Sequence, residues 1–153
     1  MTSTYKQIKS RFLSKIESYE YLKKSEDDLN DEFIKEWLHS AVAKPQTRKL
    51  FSKIILDDET ATVEYSLSEA VDDFSDAEFV IDILAYGIGI GWLEPKVYSI
   101  VNIQQMYGGK EQKFYAQANH LNAIQSLLSR FKIEQKKLIR DHGANYNSYI
   151  GVS

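Results

Sequence analysis

The chain has no cysteine among its 153 residues, which excludes disulfides, thiolate metal sites and a cysteine nucleophile, and fits a reducing compartment. Its two prolines, Pro45 and Pro95, stand where helical patterns should end or be interrupted. No apolar run is long enough to cross a bilayer. The most apolar stretch, residues 79–93, falls short of the roughly 18 residues a membrane helix needs and contains Asp82. The opening residues lack the charged-then-apolar pattern of an export signal. Between residues 54 and 95 there is no Lys, Arg or His at all.

That same stretch carries eleven carboxylates: Asp57, Asp58, Glu59, Glu64, Glu69, Asp72, Asp73, Asp76, Glu78, Asp82 and Glu94. The last part of the chain is basic, with Arg130, Lys132, Lys136, Lys137 and Arg140 against Glu134 and Asp141. Two solvated surfaces of opposite sign would account for this. So would self-complementarity, in which the acidic middle of one copy faces the basic helix of another. The acidic middle is unsuited to gripping nucleic acid, because phosphate binding is driven by Lys and Arg.

With 43% hydrophobic residues and 12% aromatics, the chain can bury a core, and its length suits one domain. Thr4 with Gln7 forms a capping box ahead of Tyr5, Ile8, Phe12, Ile16, Tyr19 and Leu22, predicting a helix over about 5–24. Ser25 with Asp28 repeats the signal before a stripe of Leu29, Phe33, Trp37 and Ala41, widened by Ile34 and Leu38, which should end near Pro45. Ala61, Val63, Tyr65 and Leu67 alternate with polar residues, the period of a strand with one buried face. A single strand or hairpin is marginal, so it must lie on the helices or pair with another chain. Ser75 with Glu78 is the best capping box, opening a central helix through Phe79, Val80, Ile83, Leu84 and Tyr86 that Pro95 should kink or restart. Gly108 and Gly109 should stop it. A last helix from about Lys110, with Phe114, Ala118, Leu121, Leu128, Phe131 and Leu138 at helical spacing, should end before Gly143.

Gly87, Gly89 and Gly91 lack the G-x-G-x-x-G spacing and the strand-to-helix setting of a dinucleotide loop. Late in a helix, such glycines allow close approach of another helix or subunit. His39, His120 and His142 are far apart, with no i, i+4 pair of the kind a helical zinc site uses. Asp82, on an apolar helix, is the one carboxylate with an unusual setting, at the edge of the stripe or paired across an interface. No nucleophile elbow or kinase-like set is present. The expectation is a protein without catalysis, metal or cofactor.

The order of parts resembles the head-to-tail connector (adaptor or head-completion) proteins of tailed bacteriophages. The resemblance lies in DEFIKEWLHSA at 31–41, an acidic turn, FVIDILAYG at 79–87 leading to Trp92 and Leu93, and KEQKFYAQANHL at 110–121. It is one of layout, spanning about 28–141, and rests on no catalytic motif. It implies a structural virion protein at the neck, assembled in the host cytoplasm. Small helical subunits of this kind form a ring, typically twelvefold, between the portal protein and a neck or tail-completion protein. Genome DNA passes through without specific binding, and no membrane takes part.

The fold expected is mainly α: a bundle of four to five helices with one short strand or hairpin over 1–142 and a flexible C-terminal docking arm over 143–153. In that arm Tyr146, Tyr149, Ile150 and Val152 would meet a partner. Asp57, Asp58, Glu59, Glu64, Asp72 and Asp73 would face a channel or a neighbouring subunit, and Gly87, Gly89 and Gly91 a close packing contact. The alternative is a DNA-binding regulator or packaging factor that uses the basic last helix.

Overall fold

The computed structural model describes the backbone of residues 1–22, 29–107 and 111–150, and the side chains of 1–19, 29–99 and 121–144. Across these residues the chain is mostly helical, five helices with a small three-stranded antiparallel sheet. Strand β1 (Thr2–Thr4) runs straight into helix α1 (Tyr5–Lys15). Thr4 serves both: its hydroxyl accepts the Gln7 N–H at 3.1 Å and its own N–H donates to the Gln7 side chain at 2.9 Å, the box expected from the sequence. The helix expected to reach residue 24 stops at Lys15. A 3₁₀ segment, Glu17–Leu22, takes over, broken by non-helical torsions at Tyr19.

Helix α2 (Asp31–Ala43) is capped by Asn30, whose side chain accepts the Phe33 N–H at 3.0 Å. Ser25 and Asp28, the cap pair expected there, lie outside the described residues. The stripe turns further round than expected. Ile34, Leu38, Ala41 and Val42 are buried, while Phe33 is exposed and stacks on the half-buried Trp37. Both sets recur every three to four residues, so periodicity alone could not choose between them. Pro45 opens the short α3 (Pro45–Arg48), a position where its missing N–H costs nothing.

Strands β2 (Phe51–Asp57) and β3 (Thr62–Leu67) form a hairpin, and β1 adds to the far side of β3 with Ser3 opposite Val63. The strand expected to lie on the helices or to pair with another chain is therefore the centre of an intrachain sheet. Phe51, Val63 and Tyr65 face the helices. Asp57 closes the turn by accepting the N–H groups of Glu59 (3.0 Å) and Thr60 (3.1 Å), and Ala61 sits in the left-handed region at φ 53°.

Helix α4 (Asp73–Tyr107) is the axis of the bundle, and α5 (Glu111–Ile150) runs antiparallel beside it. The direction follows from the contacts. The Phe131 ring meets Tyr86 edge-on, Gln135 Nε2 donates to the Ile83 carbonyl at 2.9 Å, and His142 stacks on Phe79 at 4.1 Å. α4 starts a turn earlier than the sequence suggested. Asp72, not Ser75, caps it: its carboxylate accepts the Ser75 N–H at 2.8 Å and its carbonyl the Asp76 N–H at 2.9 Å. Glu78 is thereby freed from capping.

Pro95 neither ends nor restarts α4, which continues to Tyr107. Proline removes one donor, the one that would have served the Gly91 carbonyl, and Pro95 is on the solvent side, where water can replace that bond. Gly108, Gly109 and Lys110, where the stop and restart were expected, lie outside the described residues. At the other end α5 runs through Gly143 to Ile150, so the segment expected to leave the helix at Gly143 continues it. Glycine costs a helix about 1 kcal/mol relative to alanine but does not forbid it. The side chains of Tyr146, Tyr149 and Ile150, and the whole of Val152, lie outside the described residues.

Candidate assembly surfaces

The three glycines of α4 are accounted for within the chain. A β-carbon on Gly87 would lie 2.6 Å from that of Ala41 in α2; on Gly91 it would lie 3.0 Å from Trp37 in the same helix. On Gly89 it would run into the Phe131 ring of α5. Gly87 and Gly91, one turn apart, admit α2, and Gly89 on the other side admits α5. The close packing expected of these positions is thus packing of the bundle itself.

Most of the carboxylates in the acidic middle have partners, and four of them, Asp58, Glu78, Asp82 and Glu94, draw theirs from distant elements. Asp58, at the tip of the hairpin, accepts the Tyr5 hydroxyl at 2.6 Å and His39 Nε2 at 2.9 Å, joining α1, α2 and the sheet. Those bonds, Tyr5 first, hold its pKa below the ordinary carboxylate value. Burial, then the bond to Asp58, pushes the Tyr5 hydroxyl well up. Glu64 pairs with Lys53 across the hairpin at 2.8 Å and is lowered by it. Asp57 and Asp72 are lowered by the N–H groups of Thr60 and Ser75 that they cap. Of the six acids expected to line a channel or a subunit contact, Asp57, Asp58, Glu64 and Asp72 have partners within the chain. Glu59 and Asp73 are exposed and make no ion pair among the described residues.

Deeper in α4, Asp82 accepts Arg11 at 2.9 Å and Lys15 at 3.2 Å, and Glu78 takes the other arm of the Arg11 guanidinium at 2.8 Å. The Asp82 pairing is therefore between α1 and α4 of one chain. Glu94 lies between Lys44 (3.6 Å) and Lys132 (3.7 Å). Asp76, 2% exposed, turns back to accept the Val71 N–H.

What remains outward is sorted by sign. The outer face of α5, opposite the buried Ile124, Leu127, Phe131 and Gln135, carries Arg130, Lys136, Lys137 and Arg140 around Ile133, which is 62% exposed. Among the described residues Lys136 and Lys137 make no ion pair. At the start of α4, Phe74 is 78% exposed directly after the capping Asp72 and Asp73, with Glu69 three residues before Asp72. The charge counts were legible in the sequence, but these two apolar side chains were not singled out. Their signal was their place off the buried stripes of their helices.

His39 is engaged with Asp58, and His142 Nε2 donates to the Glu69 carbonyl (2.8 Å) while its ring stacks on Phe79. The His120 side chain lies outside the described residues. Among the described residues no cluster of three or more His, Asp or Glu could hold a metal ion, and no helix is long and apolar enough to cross a membrane. Compared with protein-family models, characterised proteins and solved structures, the chain matches none.

Proposed function

We propose that this chain is a structural subunit of a virion neck, assembling into a ring that joins the portal to the tail and continues the DNA channel. The observation that carries the proposal is the sorting of its outward charge. A basic face on α5 and an acidic end on α4, each with an exposed apolar residue, belong to separate parts of one bundle, as a subunit that meets its like on two different sides requires. The resemblance of the chain's layout to phage connectors supplies the context. The surplus of carboxylates would keep a channel from holding DNA.

The test is a native mass measurement of the purified chain, alone and with portal protein. A closed assembly of one size, free or formed only on the portal, is the expected result; a chain that stays monomeric under both conditions overturns the reading.

A second reading, a DNA-binding regulator or packaging factor, is favoured by Lys136 and Lys137, which make no ion pair among the described residues. Against it stand Glu134 and Asp141 on the same helix. Retention on a DNA column that falls steeply with salt would support it over the ring.

A further inference from the structure

We infer that the Phe74 end of α4 in one copy docks onto the Ile133 face of α5 in the next; the inference rests on the ring reading and names the contact that would build it. Single exposed apolar residues are common and need no explanation. What distinguishes these two is their settings, which are opposite in sign. Phe74 stands beside Asp73, with Glu69 and Asp72 close before it in sequence. Ile133 has Arg130 one turn before it and Lys136 and Lys137 one turn after it on the same helical face.

The charges are also available. Glu69, Asp73, Lys136 and Lys137 make no ion pair among the described residues, whereas other acids beside an exposed aromatic are already engaged. Phe33 is the comparison: its neighbours Asp31 and Glu32 pair with Lys9 and Lys35, and its ring stacks on Trp37. An incoming basic face would have to displace those lysines. At Phe74 it would displace only solvent.

One chain cannot make this contact with itself. His142 on Phe79 sets this part of α5 beside the first turns of α4, and Gln135 on Ile83 and Phe131 on Tyr86 show α5 running back along α4 from there. Ile133 lies nine residues back from His142, about 14 Å at 1.5 Å per residue. Phe74 lies five residues before Phe79, about 7 Å in the other direction at the same rise. The two apolar anchors, Phe74 and Ile133, are therefore on the order of 20 Å apart along the helix pair. A contact between different patches on two copies is head-to-tail, leaves one patch of each kind free, and propagates until it closes. The rim charges set register and steer encounter, and the two apolar groups are the anchors.

The experiment uses the full chain and two charge-reversed variants, Glu69→Lys with Asp73→Lys, and Lys136→Glu with Lys137→Glu, with assembly read by light scattering at low salt. Each variant alone should associate on the order of tenfold or more weakly than the native chain. Mixing them should restore assembly, because each native patch finds its mate and the two reversed patches match each other. Restoration also shows that both variants are folded. If native chains form closed particles and the variants do so equally well, the contact is overturned while the ring stands. If native chains form an open ladder that the variants break and the mixture restores, the contact stands and the closed ring is overturned. A native chain that does not self-associate at low salt, with a mixture that does not either, overturns the contact.

Discussion

Single residues decide where α4 begins and how closely its neighbours approach. Asp72 accepts the N–H of Ser75, so Asp72→Ala should cost about 1 kcal/mol, the usual loss of an N-cap. Ser75→Ala keeps that backbone bond and loses only its hydroxyl contact with Asp72 at 2.9 Å, a smaller effect. Phe79→Ala removes a buried ring and its stacking on His142 and should cost roughly 3 to 5 kcal/mol. Denaturant midpoints that rank Ser75→Ala with or above Asp72→Ala would return the cap to Ser75. The glycines make a second ranking. Gly89→Ala drives a methyl into the buried Phe131 ring and should destabilise by about 1 to 3 kcal/mol, more than helix propensity returns. At Gly91 the obstacle is the half-buried Trp37, which can give, so Gly91→Ala should be close to neutral. Similar losses for both would mean that Trp37 is as fixed as Phe131.

Among elements, the sheet is held to the helices by few polar contacts, and the Tyr5, Asp58 and His39 group is the main one at the hairpin tip. Tyr5→Phe keeps the buried ring and removes the hydroxyl, leaving Asp58 with His39 alone. The expected loss of stability is smaller than that of Phe79→Ala, with faster hydrogen exchange confined to the hairpin turn at residues 58–61. Unchanged exchange there would show that the sheet is docked by its apolar face alone. How legible these elements were depended on the reach of their contacts. The cap of α1 lies within four residues, and the sequence shows it. Strand β1 is three residues long, too short for any alternation, and exists because Ser3 finds Val63 sixty residues later. On α2 the expected face was too broad: Ile34, Leu38 and Ala41 are buried as read, while Phe33, at the same period, is left exposed. The partners of the acids were equally hidden: no local pattern leads from Asp58 to Tyr5, or from Asp82 to Arg11.

For the whole molecule, these scattered bonds add up to a dependence of stability on pH with two limbs. Asp31, Asp57, Asp58, Glu64 and Asp72 all have lowered pKa values in the fold, chiefly from Lys9, the Thr60 N–H, the Tyr5 hydroxyl, Lys53 and the Ser75 N–H. The unfolded chain holds protons on these groups more tightly, so unfolding takes up protons in acid. Their contribution is complete above the ordinary values of about 3.9 for Asp and 4.3 for Glu, and is lost as pH falls through the folded values. Tyr5 and Tyr65 act in the opposite sense. Burial is the first cause of both raised pKa values, so the fold favours the neutral hydroxyl. Their contribution is complete below the ordinary value of about 10 and lost as pH rises through the folded values. Thermal midpoints should therefore be level from about pH 5 to 9, fall steeply below about pH 4 and fall again above about pH 10. Tyr5→Phe should flatten the alkaline limb and shrink the acid limb, because the same bond raises Tyr5 and lowers Asp58. An acid limb identical in native and Tyr5→Phe chains would mean that the hydroxyl does not hold Asp58 charged in solution.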